Sequence, residues 1–498
     1  MKINIYKKLI FLFVVPLFIS CDDALDLRPQ DGIIREEFWQ TKEDVQGAVI
    51  GAYSALLNSP PGVGDRPIPE YQFMWGELRG DMVLPTADAS RDERDIATMN
   101  ILPTNPLTNW SAFYRVINFC NTIIDLAPGA QEQDPTFSQE ELDRFIGEAL
   151  AIRAYMYFTL ARTFGDVPLK LDATLSDTDN FQIAKTPQVE VLEQVALDLQ
   201  EAEAKVPESF DTNMASKGRF TKYGVNAMQT DVFLWLNEYD NAIEAANKII
   251  NSGNFELIEA NNSWFQTVFA EGNSSESIFE LQYSLQNQNP FYNMFVERPR
   301  YLVAPTVLEG VFGINRDEPD EQDIRGERTS MVASNATIYK YSGLNSSELK
   351  ARNAFDTHWF VYRYADVLLM KAEALNEIGD GEQALSIIED VRERAEAIEM
   401  TAMPVSADDS DAITDYILAE RARELAFEGK RWYDVLRNAR RNNYERIDLI
   451  KSMAITSVPA ELQQSVLAKL DNPNSHYLPI YFYELYANKA LEQNPFYE

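Results

Sequence analysis

Apolar residues along this chain recur mostly at helical spacing, with few stretches of strand-like alternation. The segment TKEDVQGAVIGAYSALLN shows the pattern. Thr41 is a ready N-cap, acidic residues fill the first turn, and Val45, Val49, Ala52 and Leu56 fall on one face. A second helix is predicted from Trp110 to Leu126. Ser138 and Glu141 form an S-x-x-E capping box for a long helix to about Phe164, where Gly165 can end it. Thr186 and Pro187 open another, running to about Ala204. Between and after these lie irregular stretches rich in Pro, Gly and Asn, at 59–109, 165–185, 253–356 and 397–411. ESIFELQYS (276–284) alternates and predicts a short strand, and YLVAP (301–305) is a candidate for another.

Two distant segments can be superposed by pattern. VNAMQTDVFLWLNEYDNAIEAANKII (225–250) and YADVLLMKAEALNEIGDGEQALSIIEDV (364–391) each read as helix, tight turn, helix. Ala242 and Ala384 are small where the second helix would press on the first. This is the tetratricopeptide pattern, here interrupted by long insertions. Pairing 41–58 with 110–127 and 138–164 with 186–205 would complete four hairpins; plain helical pairs without a superhelix are the alternative.

The N-terminus changes the picture. Lys2, Lys7 and Lys8 precede an apolar run from Leu9 to Ile19, too short for the ~20 residues a bilayer-spanning helix needs, so it reads as a signal-peptide core. Leu-Phe-Ile-Ser-Cys then resembles the lipobox of bacterial lipoproteins, with Cys21 as the lipidated residue; an ordinary cleaved leader with an incidental cysteine is the alternative. The expected layout is a leader at 1–20, a tether at 21–40 and one domain at 41–498. Lipid would be the membrane attachment. With Cys21 lipidated, Cys120 has no partner and is expected to be a small core residue.

A net charge of −34 repels phosphate backbones and argues against nucleic acid. Only two histidines occur, His358 and His476, and there is no HExxH, CxxC, GxSxG, GxGxxG or GxxxxGK[ST] motif. Histidine triads and zinc sites are poorly supported. Paired carboxylates stay open among 78 acidic residues, but abundance makes any one pair weak evidence. Catalysis is the minority reading, and no cofactor is implied.

Five stretches carry a family resemblance: LDLRPQDGIIREEFWQTKEDVQGAVIGAY after the lipobox, EALAIRAYMYFTLARTFGDVPL, RYADVLLMKAEALNEIGD, ERARELAFEGKRWYDVLRNAR and the terminal YLPIYFYELYANKALEQNPFYE. In this order they resemble the SusD/RagB family of surface lipoproteins; Tyr481 and Phe496 stand where that tail usually has Pro and Gly. The resemblance implies a mainly α fold of four tetratricopeptide hairpins with a loop-rich, mixed second region holding a few short strands. The scaffold would occupy about 41–252 and 358–396, the ligand-binding insertions about 59–109 and 253–357, and a C-terminal family region 397–498. It also implies an outer-membrane, cell-surface protein that captures oligosaccharides for a SusC-like TonB-dependent β-barrel transporter without cleaving them. RagB-like members handle peptides instead. A tetratricopeptide scaffold for protein partners is a further alternative, as is a glycoside hydrolase.

The family motifs themselves read as architecture. Arg421, Arg423 and Glu424, then Arg431 and Asp434, are spaced for (i, i+3) pairs, and Gly429 permits a break between two helices. A carbohydrate-binding cluster is the other reading of these charges. Sugar faces want flat rings, and sugar hydroxyls want Asp, Asn, Gln or Arg in a shallow cleft on irregular insertions. PEYQFMWGELRGDMVLPTADASRDERD (69–95) offers Tyr71, Trp75, Arg79, Asp81 and Arg94; NQNPFYNMFVERPRYLV (287–303) offers Asn289, Phe291, Tyr292, Arg298 and Tyr301. Trp75 and Tyr292 lead as stacking candidates, each weighed against core packing. Trp264 and Trp359 lean toward core.

Overall fold

Eight helices form the scaffold, and each pair follows from local sequence. The protein, described here from a computed structural model, is defined over residues 38–58, 66–176, 179–313 and 323–498. The expected leader, the lipobox and Cys21 lie outside the described residues. Helix α1 (Lys42–Leu57) packs on α2 (Ser111–Gln133), α3 (Gln139–Phe164) on α4 (Gln188–Lys205), α5 (Lys222–Leu236) on α6 (Tyr239–Ile250), and α7 (Tyr364–Glu377) on α8 (Gly381–Arg394). Contacts of α2 with α3, α4 with α5 and α6 with α7 stack the four hairpins in chain order. Such stacking buries a stripe that no single hairpin could bury alone.

The caps fall where the sequence puts them. Asp44 N–H donates to Thr41 Oγ1 at 3.3 Å, and Glu141 N–H to Ser138 Oγ at 3.2 Å, each with a returning carboxylate. Gly165 ends α3 at φ 77°, and Asn237 and Gly379 take positive φ in the two tight turns. Ala242 and Ala384 are fully buried at the helix contacts. Cys120 is buried in α2 and makes no disulfide.

Small strand pairs clamp the second region onto the scaffold. β1 (Val83–Pro85) pairs antiparallel with β3 (Tyr301–Val303), and β2 (Ser277–Leu281) with β6 (Trp359–Arg363); β4 (Met331–Val332) pairs with β5 (Thr337–Ile338). Both strands expected from the sequence are present. Among the described residues no helix is long and apolar enough to cross a membrane.

One expected loop is not a loop. Residues 68–77 (IPEYQFMWGE), placed in an exposed insertion by the sequence reading, form a helix in which every residue is buried. A helix surrounded on all sides loses the polar face that marks helical periodicity. Its neighbours include α10 (Arg431–Tyr444), which follows α9 (Ser410–Glu424) across the break at Gly429, φ 72°.

The charged family motif is interior. Arg363 donates to Glu276 at 2.7 Å and Glu424 at 2.6 Å, and Arg325 donates to Glu424 at 2.9 Å. Arg421 bridges Asp366 at 2.9 Å and Asp434 at 2.8 Å. Arg431 holds Asp81, not Asp434 as its spacing predicts. These partners come from distant segments, so the motif is a buried lattice joining the loops at 276 and 325 to α7–α10.

Candidate functional site

The β1–β3 ladder draws the two insertions together. Thr86 N–H donates to Arg300 O at 2.8 Å and Thr86 Oγ1 to Pro299 O at 2.6 Å, which fastens 83–88 beside 297–303. On the far side, Asn289 locks the second insertion: its N–H donates to Phe355 O at 2.9 Å, and its Nδ2 donates to Thr357 O at 2.9 Å. Its Oδ1 then accepts from Phe291 N–H at 3.0 Å and starts the following helical turn. In that turn Phe291, Met294 and Phe295 face the core, while Tyr292, Asn293 and Glu297 face outward. Phe291 packs between Tyr341 at 4.5 Å and Trp359 at 5.3 Å.

The outward side chains line a cleft in two joined halves. One half, of about 430 Å³, holds Gln288, Tyr292, Arg352 and Phe355. The other, of about 530 Å³, holds Arg66, Glu70, Asp88, Arg298 and Arg300. Pro290, Asn293 and Glu297 line both. The Tyr292 ring lies 3.9 Å from the buried ring of Phe355, centroid to centroid, so it is backed by the core and partly exposed. A flat ring held this way offers C–H groups a rigid surface at little entropic cost.

At the base, Arg300 donates to Glu70 at 2.6 Å and also pairs with Glu93, and Tyr301 Oη donates to Glu93 at 2.7 Å. Burial raises the Glu93 carboxyl, but Arg300 and Tyr301 outweigh it and hold the group below the usual carboxylate range. Glu93 therefore stays ionised and is poorly suited to donate a proton. Asp88, Asn293 and Arg298 make no side-chain hydrogen bond or ion pair with the described residues. They are available to a ligand.

Comparison with known proteins bears on the fold. A family model described as the SusD family matches residues 314–497, and a second, described as starch-binding associating with outer membrane, matches 81–234. Over these two regions the chain is similar to the SusD family. Two curated proteins of Formosa agariphila are similar across most of their length: SusD-like protein P38, 29% identical over 86% of this chain and 90% of that one, and SusD-like protein P2, 26% identical over the same shares. A SusD superfamily crystal structure from Bacteroides vulgatus superposes with a TM-score of 0.74 at 21% identity, covering 92% of this chain and 100% of that one. One from Bacteroides thetaiotaomicron gives 0.71 at 23% identity, covering 91% and 100%. At these identities the structures speak for the fold.

In this SusD-like chain, most residues read from the sequence as ligand contacts lie elsewhere. Trp75 is 0% exposed, its indole stacked on Phe113 at 5.0 Å and its Nε1–H donated to Leu107 O at 2.8 Å. Tyr71 packs against the same indole. Arg79 is 1% exposed, its guanidinium 4.1 Å above Trp432 and one N–H donated to His476 O at 2.7 Å. Burial lowers its pKa to about 10. Asp81 accepts both N–H groups of Arg431 at 2.8 Å. Phe291 and Asn289 hold the cleft from beneath. Tyr301 is interior too, Arg94 donates to backbone carbonyls near Ala89, and Trp264 and Trp359 are core as expected. Of those named, Asn289, Tyr292 and Arg298 line the cleft, Asn289 as a largely buried residue of its wall.

Phe355, Arg352, Asn293 and Asp88 were not singled out in the sequence. Phe355 sits in NAFDTHW, over sixty residues from Tyr292, and tertiary hydrogen bonds such as those of Asn289 to Phe355 and Thr357 make them neighbours. No sequence signal would have found that pair.

Proposed function

We propose that this chain is a non-enzymatic outer-membrane surface lipoprotein, anchored through Cys21, that captures oligosaccharides at the Tyr292 cleft and passes them to a SusC-like TonB-dependent transporter. One observation carries the reading. Tyr292, seated on buried Phe355, forms a ring platform bordered by the unpaired side chains of Asn293 and Arg298. That combination suits a sugar, which needs a ring to stack on and polar groups for its hydroxyls. The family descriptions, starch-binding and associating with outer membrane, support it. The carboxylate beneath the cleft supports capture over hydrolysis, because a glycosidase needs an acid of raised pKa and Glu93 is shifted the other way.

Stacking contributes on the order of 1 kcal/mol and each net hydrogen bond ~1 kcal/mol, so affinity after association costs is expected in the micromolar-to-millimolar range. Weak binding suits a protein that hands its ligand on. The stacked hairpins present a rigid wall and leave the cleft free, so they are the proposed transporter-facing side. Calorimetric titration with an oligosaccharide panel tests the site: Tyr292→Ala should weaken the binding of the parent protein about fivefold or more. Undiminished binding defeats the site, and shortening of the glycan by pure protein defeats the non-enzymatic reading.

A further inference from the structure

The chain as a whole is strongly acidic, with a net charge of −34, yet four arginines line this one cleft: Arg66, Arg298, Arg300 and Arg352. Two are committed. Arg66 and Arg300 are held at the base by Glu70 and Glu93. Arg352 pairs with Glu297, but its side chain is 74% exposed, and an exposed pair of this kind is worth little and is readily exchanged for another anion. Arg298 is exposed and has no carboxylate partner among the described residues. Among the described residues neither the strand ladders nor the buried lattice uses this guanidinium, which lines the half of the cleft adjoining the Tyr292 half.

We propose that the cleft selects an anionic oligosaccharide, one bearing uronate carboxylates or sulfate esters, with Arg298 and Arg352 as the cations that receive its acid groups. The proposal rests on the capture reading above and narrows its ligand class. A guanidinium fork matches the planar pair of oxygens in a carboxylate and two oxygens of a sulfate ester, and a charged hydrogen bond is about twice as strong as a neutral one. Asp88, unpaired in the same half of the cleft, is placed to accept hydroxyl hydrogens from the same residue of the glycan. Four arginines balance the carboxylates of Glu70, Asp88, Glu93 and Glu297, so this cleft is locally near neutral and repels a polyanion less than the strongly acidic chain as a whole.

The test is calorimetric titration of the protein with neutral, uronate-bearing and sulfated oligosaccharides of matched length, at low and high salt. The parent protein should bind an acidic glycan in preference to the neutral ones, and the two acidic arms identify which anion is taken. Arg298→Gln should lower affinity for that glycan on the order of tenfold, and more than it lowers affinity for neutral glycans. The preference should fade at ~1 M salt, where the Debye length falls to ~3 Å. Tyr292→Ala should weaken every glycan. Equal or tighter binding of neutral glycans overturns the anion assignment but leaves capture standing, since Tyr292→Ala would still weaken them. A preference that survives in the Arg298→Gln/Arg352→Gln double variant overturns the assigned residues. Binding of acidic peptides with no glycan bound overturns both readings.

Discussion

Gly76 and Gly429 meet backbone to backbone at the centre of the molecule. A Cβ on Gly76 would overlap the Gly429 carbonyl, and a Cβ on Gly429 would lie 2.8 Å from Gln72 O. Gly429 also has φ 72°, a region costly for residues with a side chain. The buried helix Ile68–Glu77 can therefore sit against the α9–α10 break only because both positions lack a side chain. Gly76→Ala is expected to lower the thermal unfolding midpoint by several degrees, through a shift of one backbone against the other. A midpoint equal to the parent's would show that the contact yields freely.

The same junction predicts a pH effect. Gly429 N–H donates to Glu77 Oε1 at 2.8 Å, while Glu77 Oε2 has no close hydrogen-bond partner among the described residues. Burial pushes this carboxyl up to about 8, offset only in part by the Gly429 amide and Arg431. A folded-state value above the unfolded one means the folded protein keeps a proton that the unfolded chain releases. This group therefore takes stability away as pH rises from about 4.5 to about 8, by up to ~1.4 kcal/mol per unit. Glu77→Gln should gain in midpoint over the parent across that window, and a pH-independent difference between the two would refute the assignment.

The buried lattice behaves in the opposite sense. Burial alone would raise Glu424 and Glu373, yet the arginines around them hold both carboxyls well below their ordinary range. Their stabilisation is present above the unfolded value near 4.5 and is lost as pH falls through the folded values. Arg363→Met would leave Glu276 with Arg394, Glu428 with Lys340 and Glu424 with Arg325 and Arg394, and the lost buried pairs are expected to cost ~3–5 kcal/mol in denaturant unfolding. A loss below ~1 kcal/mol would mean the remaining cations suffice.

Trp75 and Tyr292 should separate cleanly. Trp75→Ala opens a cavity in a closed aromatic cluster and should cost ~3–5 kcal/mol of stability. Tyr292→Ala should weaken oligosaccharide binding about fivefold or more and move the unfolding midpoint little. The reverse pattern would return Trp75 to the ligand site.

Anchoring is tested at Cys21. Cys21→Ser should release the protein from membranes or leave an unprocessed precursor. Detergent-dependent membrane fractionation identical to the parent's would defeat the lipobox.

What the sequence determined by itself is local. Capping residues at Thr41 and Ser138, turns at Asn237 and Gly379, and small residues at Ala242 and Ala384 define the hairpins through interactions within a few turns of chain. Their order along the chain then sets the stack. The site was decided by tertiary structure. IPEYQFMWGE has the rings and polar groups of a binding loop, but it is enclosed on all sides, and enclosure leaves no trace in the pattern of one segment. Phe291 and Tyr292 are adjacent in sequence, yet one helical step turns the first to the core and the second to the cleft. Arg431 reaches Asp81 rather than Asp434 because a partner supplied by another segment had the better geometry. Side-chain chemistry is written residue by residue; which face meets solvent depends on what the rest of the chain packs against it.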